Sequence, residues 1–380
     1  MSDNATSRLH ALHEEGQSVW LDYIRRGIID SGELEAMIRR YDLRGVTSNP
    51  SIFEEAIGKS DDYDDAMEAF AAEGVEAGDA FERIAVEDIQ NACDIFRPVY
   101  DAAGGHDGMV SIEVSPLLAD DTRRTLDEAR KLWKLVDRPN VMVKIPGTDE
   151  GVEAIEQALF EGININITLL FSLRGHEAVM EAFLRAMERR VEAGQPLDRI
   201  ASVASFFVSR VDSSVDAELE KIAAEGGARA EKARSVMGRA AIANAKMAYL
   251  RFTQVFAGER WERLKARGAR VQRPLWASTS TKNKAYRDVM YIETLIGPDT
   301  VNTMPLATIE AFADHGEVRR SVDTDLDQAR GDLATLQELG IDLDAVTEKL
   351  QVEGVEKFAK SFHQMIQTVG EKLTRVAQET

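Results

Sequence analysis

Eight short segments of strand character, each followed by at least one stretch of helical period, constrain this chain more than any other feature. That alternation is expected of a parallel sheet closed into a (β/α)8, or TIM, barrel. The segments are Ser18–Tyr23, Arg44–Thr47, Met109–Ser115, Asn140–Ile145, Ile163–Leu169, Arg199–Val208, Arg273–Ser278 and Thr300–Met304. Between them the periodicity predicts helices over Ser31–Tyr41, Asp79–Ala102, Asp120–Leu135, Asp149–Glu161, Gly175–Glu192, Glu231–Phe256 and Thr281–Leu295. The acidic, Ala-rich region Glu54–Gly78 is expected to be a solvated helical excursion after the second strand. Beyond the last strand, Val318–Leu339 and Asp342–Ala377 read as two further amphipathic helices, a cover formed by the end of the chain and packed on the barrel. The 380 residues exceed the roughly 250 typical of a barrel. One domain with additions is therefore expected, its core at 18–315 and its helical cover at 318–377.

Charge narrows the function. With 46 Lys and Arg against 66 Asp and Glu, the formal charge of −20 repels a nucleic-acid backbone over the whole surface. An anionic substrate therefore requires a few locally placed cations. No Gly-rich loop of either nucleotide-binding type is present, so no NAD or ATP cofactor is expected. Cys93 is the single cysteine, which excludes an internal disulfide, and its helical setting marks it as a structural thiol. The six histidines are scattered; only His10 and His13 have helical spacing, in a start expected to be mobile, so no metal site is expected. Met1 to Gln17 has no apolar run, and no later stretch approaches the roughly 20 apolar residues of a membrane span. A soluble cytoplasmic protein without a membrane partner is the expectation; monomer and homodimer both remain open.

Period-two alternation then reveals which side chains look into the barrel. One face of each strand meets the surrounding helices and must be apolar, while polar catalytic groups stand on the other, at its C-terminal end. Ile163-Asn164-Ile165-Asn166-Ile167-Thr168 puts three isoleucines on one face and Asn164, Asn166 and Thr168 on the other. In Val141-Met142-Val143-Lys144-Ile145 the same parity leaves Lys144 inward, just before Pro146. Glu113 opposes Ile112 and Val114, and Asp22 shares a face with Trp20. Singly, Asp22 fits a loop start, Glu113 a surface ion pair and Lys144 an exposed edge. Together they gather three ionisable groups, two amides and a hydroxyl at the strand ends where barrel catalysis concentrates.

Such a set suits imine chemistry. A lysine stripped of part of its hydration by barrel walls is more readily neutral and can attack a ketone. The resulting protonated imine draws in the electrons of a neighbouring carbon–carbon bond as it breaks. That cleavage needs a base for the hydroxyl proton, and dehydration of the carbinolamine needs a second acid/base group. Asp22 and Glu113 are the candidates.

The chain resembles the transaldolase family in several ordered motifs. Gly45-Val46-Thr47-Ser48-Asn49-Pro50-Ser51-Ile52-Phe53 is similar to the family's Asn-Pro-Ser signature at the second strand. Val143-Lys144-Ile145-Pro146-Gly147-Thr148 resembles its active-lysine segment, and Gly162 through Ser172 the segment that follows. Further similarity lies in Ser205-Phe206-Phe207-Val208-Ser209-Arg210-Val211-Asp212 and Trp276-Ala277-Ser278-Thr279-Ser280-Thr281-Lys282-Asn283, the latter suggesting the longer bacterial subfamily. The resemblance implies transfer of a dihydroxyacetone unit between sugar phosphates in the pentose phosphate pathway, without a cofactor. It implies Lys144 as the Schiff-base residue, Asp22 as the acid/base for cleavage, and Glu113 with Thr168 as the pair ordering a catalytic water. Asn49 and Asn166 would bind substrate hydroxyls, while Ser205, Arg210 and Lys282 would hold the phosphate. Ser280 stands where the family pattern has glycine, which is expected to alter the backbone of that turn. Two alternatives are a Schiff-base fructose-6-phosphate aldolase releasing free dihydroxyacetone, and an inactive barrel scaffold. Aldolases of this kind are shorter and carry glutamine and tyrosine where Glu113 and Phe207 stand.

Overall fold

The computed structural model describes residues 4–379. Its sheet consists of β1 (Gln17–Leu21), β2 (Gly45–Val46), β3 (Met109–Glu113), β4 (Val141–Pro146), β5 (Ile165–Leu170), β6 (Ser202–Phe207), β7 (Arg273–Ala277) and β8 (Thr300–Met304). All neighbours are parallel, and β8 pairs with β1 from Gln17↔Thr300 to Leu21↔Met304, closing an eight-stranded barrel. The expected parity is realised: Val141, Val143, Ile145, Ile165 and Ile167 are fully buried against the helices. Glu113 pairs with Lys144, and Lys144 with Asn166, so three inward polar residues on β3, β4 and β5 form one row.

The barrel is closed at its amino end by polar groups that satisfy one another. Arg273 donates to Ser18 Oγ at 2.9 Å, Asp107 Oδ1 at 3.0 Å and the His106 carbonyl at 2.8 Å. Asn164 ties β4 to β6, donating to the Pro139 and Val141 carbonyls and accepting from Ala201 N. Its predicted inward amide thus belongs to the floor of the barrel.

The turns at the opposite end are set by capping. Asn49 accepts from Ile52 N and Pro50 follows, which starts the helix Pro50–Gly58. Thr148 and Ser172 cap the helices after β4 and β5 through Gly151 N and Gly175 N. These helices aim the positive ends of their dipoles at the barrel mouth.

Across that mouth lies the C-terminal helix Leu343–Glu379, which packs on Pro50–Gly58, Asp64–Glu73, Ala77–Ala102 and Ser209–Ala224. Gln351 donates to the carbonyls of Gly147 and Leu169, at 3.0 and 3.1 Å. Leu169 has a left-handed φ of 58° where β5 bulges against β6, so the helix satisfies a carbonyl that the bulge frees. Gly354 permits this approach, since a Cβ there would stand 2.9 Å from Leu169 Cδ2.

Several expectations are corrected. Thr281–Leu295 is helical only at Met290–Glu293; Thr281 Oγ1 donates to the Asp288 carbonyl and Asn283 Oδ1 accepts from Ala285 N, so short polar side chains hold a loop instead. Glu231–Phe256 splits into Gly227–Ser235 and Ala240–Val255 around Gly238, whose φ of 69° breaks the helix. The helix expected from Val318 begins at Leu326, because Ser321 N and Val322 N bond instead to the Ile296 carbonyl. Glu54–Gly78 is more than a solvated excursion: Ala56, Ile57 and Met67 are buried in the helices Pro50–Gly58 and Asp64–Glu73, beneath the C-terminal helix. The start expected to be mobile contains the helix Asn4–Glu14, with Leu9 and Leu12 fully buried and His10 bonded to Asp42 at 2.9 Å. Cys93 is buried in Ala77–Ala102, as a structural thiol should be. Among the described residues, no helix is long and apolar enough to cross a membrane.

Candidate active site

A cavity of about 220 Å³ opens at the carboxyl end of the barrel, lined by Asp22, Asn49, Lys144, Thr168, Ser205, Phe207, Arg210 and Lys282 among others. Seven of the nine side chains singled out in the sequence thus line one space. Glu113 adjoins it through Lys144: Nζ lies 3.2 Å from Glu113 Oε2, and both side chains are buried. Asn166, fully buried beside Lys144 in the sheet, stands behind the wall rather than lining it.

Lys144 is held at two further points. Its ammonium donates to the Ser48 carbonyl at 3.0 Å and lies 5.8 Å from the ring centre of Phe358, on the C-terminal helix. Burial pushes the Glu113 carboxyl above its ordinary range, with the Lys144 charge opposing that rise. Neither Glu113 oxygen has a well-directed hydrogen bond, and Thr168 Oγ1 is also without a partner. A carboxylate and a hydroxyl left open beside an amine suit the ordering of a water molecule.

Asp22 continues β1 and is fixed from below. Its Oδ1 accepts from Thr47 Oγ1 at 2.7 Å, and Thr47 in turn meets Thr303 Oγ1 at 2.7 Å. Asn166 donates to Ser111 Oγ at 3.0 Å and accepts from Ser205 Oγ at 2.7 Å, which fixes its amide orientation. Ser205 therefore spends its proton on Asn166 and must release it before donating to an anion.

At the far side, Arg210 lies in the first turn of Ser209–Ala224 with its guanidinium 5.2 Å from the Phe207 ring centre. Lys282 donates to Ser280 Oγ at 2.8 Å. Among the described residues no carboxylate lies within ion-pair distance of Arg210 or Lys282. Burial lowers the pKa of both from their ordinary values, and for Lys282 the Arg210 charge adds to the effect. The left-handed backbone in this turn falls on Ser278, with φ 56°, rather than on Ser280. Ser278 bonds Ser209 through both hydroxyls, at 3.0 Å, tying the β7 turn to the helix that carries Arg210.

Sequence reasoning missed Lys357 and Phe358, which also line the cavity. Their surroundings, Val355-Glu356-Lys357-Phe358-Ala359-Lys360, have only the pattern of an amphipathic helix. Nothing in that pattern tells which barrel end the helix covers. Thr47 and Thr303 escaped for a similar reason, since a hydroxyl in a strand has no distinctive signature.

Comparison with known proteins agrees with this geometry. Residues 19–369 match the family model described as Transaldolase/Fructose-6-phosphate aldolase. A transaldolase of Parafrankia sp. is 50% identical over 370 residues, covering 97% of this chain and 99% of that protein. A transaldolase of Saccharopolyspora erythraea is 48% identical over 374 residues, and one of Frankia alni 47% over 368, each covering 97% of this chain and 98% of the relative. A closed parallel barrel, a buried lysine at its mouth and similarity along nearly the whole length converge: the chain belongs to the transaldolase/fructose-6-phosphate aldolase family.

Proposed function

We propose that this enzyme is a transaldolase, moving a dihydroxyacetone unit from sedoheptulose 7-phosphate to glyceraldehyde 3-phosphate, and that Lys144 is its nucleophile. The observation that carries the reading is the amine of Lys144, enclosed at the strand ends 3.2 Å from Glu113 and facing a cavity that also contains Asp22. The neutral amine attacks the ketose C2 carbonyl, and the carbinolamine loses water to give a protonated imine. Glu113 and Thr168 hold the water through which protons pass in that step. Asp22 then takes the proton of the C4 hydroxyl; the C3–C4 bond breaks, its electron pair enters the imine to form an enamine, and an aldehyde phosphate leaves. The enamine carbon attacks the carbonyl of the incoming aldehyde phosphate, Asp22 returns its proton to the new alkoxide, and hydrolysis frees the product and Lys144.

Asn49 and Asn166 hydrogen-bond the substrate hydroxyls, the latter held in orientation by Ser111 and Ser205. Arg210 and Lys282 hold the phosphate against the repulsion of the −20 surface. Ser205 joins them only if it lets go of Asn166. The barrel and its C-terminal helices act as one domain, because the helix Leu343–Glu379 supplies walls of the cavity.

The aldolase alternative predicts that water discharges the enamine readily. Phe207, an aromatic ring without a hydroxyl, lines the cavity and offers no proton for that step. Incubation with fructose 6-phosphate tests the choice: free dihydroxyacetone should form slowly with this donor alone, and sedoheptulose 7-phosphate with glyceraldehyde 3-phosphate rapidly once erythrose 4-phosphate is added as acceptor. Rapid release of dihydroxyacetone without any acceptor would instead assign aldolase activity.

A further inference from the structure

Besides Lys144, the mouth of the barrel holds three cations rather than the two that the family motifs supply. Lys357, on the C-terminal helix, lines the same cavity as Arg210, Lys282, Ser280 and Ser205. Among the described residues no carboxylate lies within ion-pair distance of it, as is also true of Arg210 and Lys282. The Arg210 charge, and then burial, lower the Lys357 pKa, and Lys357 in turn depresses Lys282, so the three charges face one another closely enough to repel. On the same helix Lys372 pairs with Asp64 at 2.9 Å and Lys349 with Glu353 at 3.6 Å, while Lys360 has no ion pair among the described residues and lies outside the cavity; Lys357 is set apart by facing Arg210 and Lys282 across the cavity. Asp22 at the same cavity partly offsets Arg210 and Lys282, yet three cations against one carboxylate leave an excess of positive charge that suits an anion.

We propose that Lys357 is a phosphate-binding and specificity-determining residue, by which the C-terminal helix selects phosphorylated aldehydes and ketoses. The inference rests on the transaldolase reading above. In that reaction the three carbons kept on Lys144 carry no phosphate, so Lys357 acts on the fragment that leaves and on the one that arrives. It therefore sets the KM of both donor and acceptor and leaves the imine itself untouched. Phe358, the next residue, faces Lys144, so a single turn of helix spans the phosphate end and the imine end of the cavity.

The test compares Lys357→Met, Lys357→Arg and Lys360→Met, the last removing the same charge from an exposed position on the same helix outside the cavity. Lys357→Met should raise KM for fructose 6-phosphate about tenfold, as loss of one charge-assisted hydrogen bond implies, with kcat changed less than about twofold. Its kcat/KM for unphosphorylated fructose should equal that of the wild type. Lys357→Arg should recover most of the loss, and Lys360→Met should change neither constant. An equal loss for both sugars, an unchanged KM for fructose 6-phosphate, or an equal effect of Lys360→Met would overturn the assignment. Calorimetry with inorganic phosphate supplies a readout independent of turnover: Lys357→Met should weaken binding about tenfold, and unchanged binding refutes the role. If the wild type binds phosphate but forms no borohydride-trapped adduct with fructose 6-phosphate, the transaldolase reading fails while the phosphate site stands.

Discussion

At the amino end of the barrel Arg273 is enclosed with Asp107, Ser18 and the His106 carbonyl, and both charged side chains are less than 5% exposed. At the carboxyl end Arg210, Lys282 and Lys357 face a cavity with, among the described residues, no carboxylate within ion-pair distance of them. The same chemical types thus do different things 

at the two ends of one sheet. Where Arg273 and Asp107 meet their partners, charge closes the barrel and adds no reactivity; where cations are left facing a void, the fold has accepted repulsion that a substrate anion can relieve. Lys144 and Glu113 stand between these cases, paired at 3.2 Å yet only partly hydrogen-bonded.

Truncation at each end should separate these roles. Arg273→Ala leaves Asp107 buried without its cation, and should destabilise the fold by about 3–5 kcal/mol in denaturant titration. The fraction that remains folded should keep its KM for fructose 6-phosphate. Arg210→Ala should do the converse, raising KM for phosphorylated substrates roughly a hundredfold while the denaturation midpoint holds or rises slightly. If Arg210→Ala proved as destabilising as Arg273→Ala, the contrast between the two ends would be lost.

A smaller effect concerns pH. Because burial raises the Glu113 pKa, this carboxyl stays protonated to a higher pH than an ordinary glutamate. If its ionised form takes the proton during imine formation, the acid limb of the pH–kcat profile should lie above the usual carboxylate range. Glu113→Gln should lower kcat and remove that limb; a limb unchanged in the variant would assign it to another group.

Much of the site was legible because period-two strands leave little freedom. Asn166 and Lys144 are inward for the same reason that Ile165 and Val143 are outward, and the parallel register then sets Glu113, Lys144 and Asn166 side by side. Asn164 obeyed the same parity yet lies at the floor, since alternation gives a side chain's face and not its depth. The turn after β7 was misread as helix because its apolar spacing is ambiguous, while the hydroxyl and amide bonds of Thr281 and Asn283 outweigh the helical ladder there. Lys357 and Phe358 were invisible for a different reason: an amphipathic pattern identifies a helix's buried stripe, but long-range packing decides what that stripe covers.

The central claim is that Lys144 forms the imine, and reduction with borohydride in the presence of carbon-labelled fructose 6-phosphate tests it most directly. Peptide mass mapping should find a three-carbon adduct on Lys144 alone, diminished when an aldehyde phosphate acceptor is added before reduction. A label on any other lysine, or its persistence in Lys144→Met, would contradict the account.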